Sequence, residues 1–239
     1  MDFQWMDAES EIKGSVKAWR AAFPVARAVN VSERRDIVDA DFVHIRGDAR
    51  VRLHTVIMAY CHNVTDAAFV YLRGIHTLSM RGCRQLTDAA FVHLQGIHTL
   101  EMSWCRQDTI TDAAFVHLRG IHTLNMSSCR QLTDAAFVHL RGIHTLNMSS
   151  CRQLTDAAFV HLRGIHTLNM SYCYHDTVTD AAFIHLRGIH TLDMSHCFQD
   201  TITVASMAQL RGIHTLITSG CSPYVQVATY ALLSSRSMQ

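Results

Sequence analysis

The chain has 239 residues, 49% of them hydrophobic and 17% charged, with a formal net charge of +1. That length suits one domain around a continuous core, and so even a balance of charge gives no global case for nucleic acid or an acidic partner, so nucleic-acid binding is not expected. No apolar run approaches the length that crosses a bilayer, and Met1 to Asp7 lack the basic and apolar segments of a signal peptide, so no membrane partner is expected.

The first predicted element is a helix around Trp19, within residues 8–24, suited to covering one end of whatever follows. A degenerate copy of a recurring unit comes next, at residues 26–47. Its stretch Ile37 to Gly47 aligns with Leu86 to Gly96, and Arg34 stands where later copies carry cysteine. Those cysteines, Cys61, Cys83, Cys105, Cys129, Cys151, Cys173, Cys197 and Cys221, are always 22 or 24 residues apart, and residues 147–168 repeat residues 125–146 letter for letter. A chain that copies so short a unit is an array, because one copy cannot bury its apolar side alone and must stack on its neighbours.

The unit from Ile75 to Gly96 is representative. Ile75, Leu78 and Met80 are apolar, and Thr77 and Ser79 alternate with the last two, as in a strand with one face buried. Thr87-Asp88 then opens a short helix, with Thr as N-cap and Asp at the positive end of the dipole. Ala90, Phe91 and Leu94 share its inner face, and Gly96 supplies a left-handed ending. The longer copies carry a two-residue insertion, Asp108-Thr109, Asp176-Thr177 or Asp200-Thr201, always between the cysteine segment and the helix, where a loop absorbs it. The last predicted element is a helix from Val225 to Leu233, with Tyr230 and Leu232 expected to cover the final copy.

The string Ile121-x-x-Leu124-x-Met126-x-x-Cys129-x-x-Leu132-Thr133-Asp134-x-x-Phe137-x-x-Leu140 resembles the cysteine-containing leucine-rich repeat, and the resemblance recurs through residues 26–222. It implies an α/β solenoid: a right-handed leucine-rich-repeat horseshoe of about nine coils, with a parallel concave sheet and short convex helices. The expected organisation is an N-terminal cap at 1–25, the solenoid at 26–222 and a C-terminal cap at 223–239. Such repeats are known from F-box substrate receptors of cullin ubiquitin ligases, and Val16-x-x-Trp19-Arg20-x-x-Phe23 resembles the closing helix of an F-box, although its opening part is missing. The resemblance implies a non-enzymatic protein-interaction scaffold, with a cullin-ligase adaptor as one partner; the alternative is a self-associating structural array. Neither a catalytic motif nor a cofactor-binding motif is present, so no enzyme activity and no cofactor are expected.

Eight cysteines at one equivalent position predict a file of buried, reduced thiols rather than disulfides, and hence cytoplasm or nucleus. Histidines form two rows. His54, His76, His98, His122, His144, His166, His190 and His214 precede or open the strands; His93, His117, His139, His161 and His185 lie on the helices. Each row offers one ligand type from one direction, so no metal is expected. Stacked imidazoles should resist collective protonation and strain the array in acid.

Variation among copies is concentrated beside the cysteine. Before it stand Tyr60, Gly82, Trp104, Ser128, Ser150, Tyr172, His196 and Gly220; after it come His62, Arg84, Arg106, Arg130, Arg152, Tyr174, Phe198 and Ser222. Trp104, Tyr172, Tyr174, His196 and Phe198 are therefore candidate partner-binding residues on one rim, since exposed aromatics make binding anchors. Glu101, Asn125, Asn147, Asn169 and Asp193, from the row in the middle of the strand face, complete the candidate surface. The rows of Thr and Ser beside them are expected to be exposed.

Overall fold

The structure is a computed structural model, described here for residues 12, 14–47 and 53–234. Nine strands of three residues each, from Ala28–Asn30 to Thr215–Ile217, form one parallel sheet in strict chain order. Equivalent residues pair: Thr77 with Thr99, Leu78 with Leu100, and Ser79 with Glu101. Each connection runs through a short helical turn and back, so every unit is one coil, as the repeat predicts. The first, degenerate copy is a full member, with Ala28–Asn30 pairing with Thr55–Ile57. The backbone ladder outruns the strands. His98 and Thr99 N–H both donate to the His76 carbonyl, and Trp104 N–H donates to Ser127.

The core is a set of columns running the length of the sheet. Ile75, Leu78, Met80, Cys83, Leu86, Ala90, Phe91 and Leu94 of one coil are all buried, and the same positions are buried in the coils that follow. Phe42, Phe69, Phe91, Phe115, Phe137, Phe159 and Phe183 make one such column, fully enclosed, and Met207 ends it. The helical segment is at most seven residues long and mixes α and 3₁₀ geometry, as in Asp156–Phe159 followed by Val160–Leu162. So short a helix is not stable by itself; the buried Ala-Phe-x-x-Leu face holds it to the sheet.

Two polar devices lock coil to coil. The cysteines form the expected file: all eight are buried and free, and each thiol donates to a carbonyl of the preceding coil, as Cys105 does to Met80 at 3.3 Å and Cys129 to Met102 at 3.2 Å. Burial pushes the thiols up, Cys105 and Cys151 to about 12, so they are structural and poor nucleophiles. The second device was not legible from one unit. The aspartate that opens each helix reaches forward to the next coil: Thr155 N–H donates to Asp134 Oδ1 at 2.9 Å and its hydroxyl donates to Oδ2 at 2.6 Å. Thr155 Oγ1 in turn accepts from Ala157 N–H, capping its own helix. The pattern runs from Asp39–Thr65 to Asp180–Thr203. The insertions are tied down in the same direction: Thr109, Thr177 and Thr201 hydroxyls donate to Leu86, Leu154 and Val178 carbonyls, at 2.7–2.8 Å.

At one end the helix Val16–Ala22 lies against the first coil with Val16 and Trp19 buried. Arg20 donates to the carbonyls of His44, Ile45, Phe23 and Ala26. At the other end the helix Pro223–Ser234 starts two residues before the predicted one. Val225 and Thr229 are its buried residues, Leu232 is half-buried against the core, and Tyr230 is 72% exposed. Tyr230 therefore does not cover the final coil as expected: it follows Thr229 by one residue, about 100° round the helix, and faces away from the core.

Candidate functional site

The sheet face is less open than its polar rows imply. Thr55, Thr77 and Thr99 are buried, and so are Ser103, Ser171 and Ser195. Two causes are visible. Each histidine ring before the strand leans on the neighbouring threonine, with His98 Nδ1 3.1 Å from Thr99 Oγ1. The residues of the middle row fold back over the serines. Ser103 N–H donates to Glu101, and the N–H groups of Ser127, Ser149, Ser171 and Ser195 donate to Oδ1 of Asn125, Asn147, Asn169 and Asp193 at 2.9–3.0 Å. These five residues are half-buried and each commits one oxygen to ending its own strand. Glu101 is also the acceptor for Asn125, and burial holds its carboxyl above the usual carboxylate range.

The rim beside the cysteines has a backbone feature that sequence reading did not supply. The residue before each cysteine is left-handed: φ is +59° at Tyr60, +62° at Trp104, +59° at Tyr172 and +58° at His196, and the glycines Gly82 and Gly220 stand at the same place. A left-handed residue costs a non-glycine side chain roughly 1–2 kcal/mol, yet three aromatic residues and a histidine occupy it. Alternating Gly, Ser and aromatic at one position is the signal that could have revealed it. The conformation also aims these side chains along the array. The ring of Tyr60 occupies the space a Cβ on Gly82 would need, and His196 does the same over Gly220, with approaches of 2.5 and 2.4 Å.

The candidate aromatics fall into two groups. Toward the C-terminal end, Tyr172 stacks on His196 with ring centroids 4.5 Å apart, and Tyr174 stacks on Phe198 at 5.0 Å. Arg152 donates to the Tyr174 hydroxyl at 3.0 Å. Tyr172 and Phe198 are 46% and 57% exposed, whereas Tyr174 and His196 are half-buried by these stacks. Toward the N-terminal end Trp104 stands apart from them, also 46% exposed, with the Arg106 guanidinium 4.0 Å from its ring centroid. Tyr60 joins Trp104 there, with Arg81 5.7 Å from its ring. Two plain coils, with Ser128 and Ser150 at the rim, separate the groups.

The histidine row that precedes the strands is a continuous stack from His54 to His214, exposed throughout, with neighbouring centroids 4.4–4.5 Å apart. On the helices, Arg73, Arg119, Arg141 and Arg163 donate to Nδ1 of His93, His139, His161 and His185 in the next coil. Among the described residues no three His, Cys, Asp or Glu side chains are grouped to hold a metal ion. Burial first, and then the imidazole neighbours, lowers His98 and His144; burial first, then His76 and then Arg27, lowers His54. His93 and His161 are lowered by burial and then by Arg73 and Arg141, against opposing pulls from Asp66 and Asp134.

A base held below its unfolded value of about 6.5 binds fewer protons in the folded chain, so stability falls as pH drops from that value through the lowered folded ones. Charging two adjacent rings would cost about 1 kcal/mol in water before salt screening. The melting temperature is therefore expected to fall between pH 7 and pH 5 and to be flat from pH 7 to 8. Thermal melts across that range check it, and a flat profile down to pH 5 would exclude the histidine rows as its source.

No protein-family model and no curated protein sequence matches the chain. Solved structures do. The TLR13–ssRNA13 complex aligns over 82% of this chain at 20% identity and TM-score 0.66, the Toll–Spatzle complex of Drosophila over 82% at 11% and 0.46, and the Rad7–Elc1 complex of yeast over 79% at 12% and 0.36. The chain spans 29%, 36% and 74% of those chains respectively. With nine parallel strands in one sheet and a short helical return in every coil, the protein has the fold of a leucine-rich-repeat solenoid.

Proposed function

We propose that the protein is a non-enzymatic protein-interaction scaffold that holds its partner on the rim beside the cysteines. One observation carries this reading: between nearly identical coils, substitution concentrates on the two residues that flank each cysteine, the first of them left-handed, and Trp104, Tyr172 and Phe198 are exposed there. Rigid aromatics with arginines packed against them make binding anchors. Asn125, Asn147, Asn169, Glu101 and Asp193, with Tyr174 and His196, are read as the polar and half-buried surround. Partner capture by the whole chain should fall at least tenfold in Trp104→Ala/Tyr172→Ala and stay unchanged in His117→Ala on the helical side. Equal capture by the double variant and wild type would remove the rim from the interface.

The finer reading is descent from an F-box substrate receptor, supported by the Val16-x-x-Trp19-Arg20-x-x-Phe23 ending. Trp19 and Arg20 are spent on the first coil, so a cullin-ligase adaptor would meet Phe23 and Val25, which are 45% and 74% exposed. A reducing compartment, cytoplasm or nucleus, suits a chain with eight unpaired thiols. Among the described residues no helix is long and apolar enough to cross a membrane.

The alternative, self-association, is favoured by a ridge on the helical side. Val70, Val92, Val116, Val138, Val160 and Ile184 are 39–48% exposed, one per coil. Light scattering across a concentration series separates the two, a constant monomer mass leaving the scaffold reading alone.

A further inference from the structure

The N-terminal group of the rim encloses a surface cleft of about 370 Å³, lined by Tyr60, Gly82, Arg84, Trp104, Arg106 and Gln107. Gly82 occupies the left-handed position that holds a side chain in the coils on either side, and the Tyr60 ring lies over it, in the space a side chain there would need, as one wall of the cleft with Trp104 as another. Resting on the proposed rim function, we infer that this cleft receives an acidic side chain from an extended segment of a protein partner.

Charge complementarity supports that occupant. Two guanidinium groups line the cleft and no carboxylate does. Arg106 has its guanidinium carbon over the Trp104 ring, 4.0 Å from the centroid, and among the described residues it donates only through Nε, to the Ser128 carbonyl at 3.3 Å. Its two terminal nitrogens are left uncommitted on a side chain held at Nε and against the ring, and a guanidinium fork suits paired hydrogen bonds to a carboxylate. Arg84 is exposed and makes no hydrogen bond or ion pair with any described residue. A third cation, Arg81, sits over the Tyr60 ring. Glu101, the acid that faces Arg81, is already the acceptor for Ser103 and Asn125. The volume is at the small end for ligand sites, enough for a side chain or two but not for a large cofactor. The aromatic walls would cover the methylenes of the incoming residue while the arginines take its oxygens. The C-terminal group lacks this geometry: its rings stack on one another, and Arg152 is bonded to the Tyr174 hydroxyl.

The probe is a hexaglutamate peptide added to the whole ¹⁵N-labelled protein, with hexaserine in parallel, followed by the Trp104 indole N–H resonance. Hexaglutamate is expected to shift that resonance saturably and hexaserine to leave it in place. Arg84→Ala/Arg106→Ala should weaken the response at least tenfold. Gly82→Ser, whose Cβ would meet the Tyr60 ring at 2.5 Å and so displace that wall of the cleft, should abolish it while resonances of the coils beyond Trp104 are kept. No shift in wild type at millimolar peptide, or an undiminished shift in both variants, overturns the inference. Tripolyphosphate displacing hexaglutamate at far lower concentration would also overturn it, by showing a phosphate site instead. A partner lost by Tyr172→Ala/Phe198→Ala but indifferent to hexaglutamate would leave the rim reading standing and remove only the cleft's role.

Discussion

Phe137→Ala is expected to lower the free energy of unfolding by about 3–5 kcal/mol. Phe137 is fully enclosed, and Phe115 and Phe159 occupy the equivalent places in the coils on either side. Removing the ring leaves a cavity whose walls are set by two neighbouring coils of almost the same sequence, each held by its own strand pairing, cysteine bond and aspartate bond. Collapse into the gap would require both to leave register, so little of the lost contact is recovered. The location matters as much as the size. Stability in an array is carried by neighbour contacts, and a weak central coil separates the units on its two sides. Urea unfolding should show a lower midpoint and a broadened transition. Val138→Ala, one residue on but 48% exposed, should change stability by no more than about 0.5 kcal/mol. Similar losses for the two variants would mean that the phenylalanine column does not hold the array together.

The difference between these adjacent residues was legible in the sequence, and it shows what kind of information repeats carry. Period fixed the coil, and the alternation of Ile75, Leu78 and Met80 with polar residues fixed which side of the strand faced inward. Thr87-Asp88 and Gly96 fixed where the helix starts and stops. Comparing nine copies turned the rim into a visible stripe, because drift there stands out against identical interiors. What stayed hidden was anything made between coils or by backbone conformation. A single unit shows Asp88 as a helix-dipole residue; only the stack brings it to Thr111. Thr77 looks like an exposed strand residue until His76 leans against it. Tyr230 has the apolar size of a capping residue, and only the rotation of its helix shows that Val225 and Thr229 do the covering. The cleft at Gly82 depends on all three causes at once: a left-handed position, a missing side chain, and rings tipped along the array.

Asp134→Ala is expected to cost about 1.5–3 kcal/mol, far more than its position on a half-exposed helix end suggests. As a simple dipole partner the side chain would contribute about 0.3–1 kcal/mol. The structure gives it two charge-assisted bonds, from Thr155 N–H and the Thr155 hydroxyl, and hydrogen bonds to a charged group contribute about 1.5–3 kcal/mol. The hydroxyl must also stay oriented to accept from Ala157 N–H, so losing Asp134 loosens the N-cap of the following helix. Water reaches this half-exposed pair and offsets part of the loss, which holds the total to a range appropriate to one such bond rather than two. Asp134→Asn separates the two contributions. An amide keeps one oxygen for the N–H but turns a donor toward the hydroxyl, so it should recover about half the loss. The comparison inside the same chain is Asp176, an exposed insertion aspartate with no hydrogen bond to a described residue, where alanine should be nearly neutral. Chemical denaturation of the three variants reads the ordering directly. Because Asp112 and Asp156 make the same bonds one coil away on either side, removing all three should cost more than the sum of single losses if neighbouring coils support one another, and only the sum if each bond acts alone.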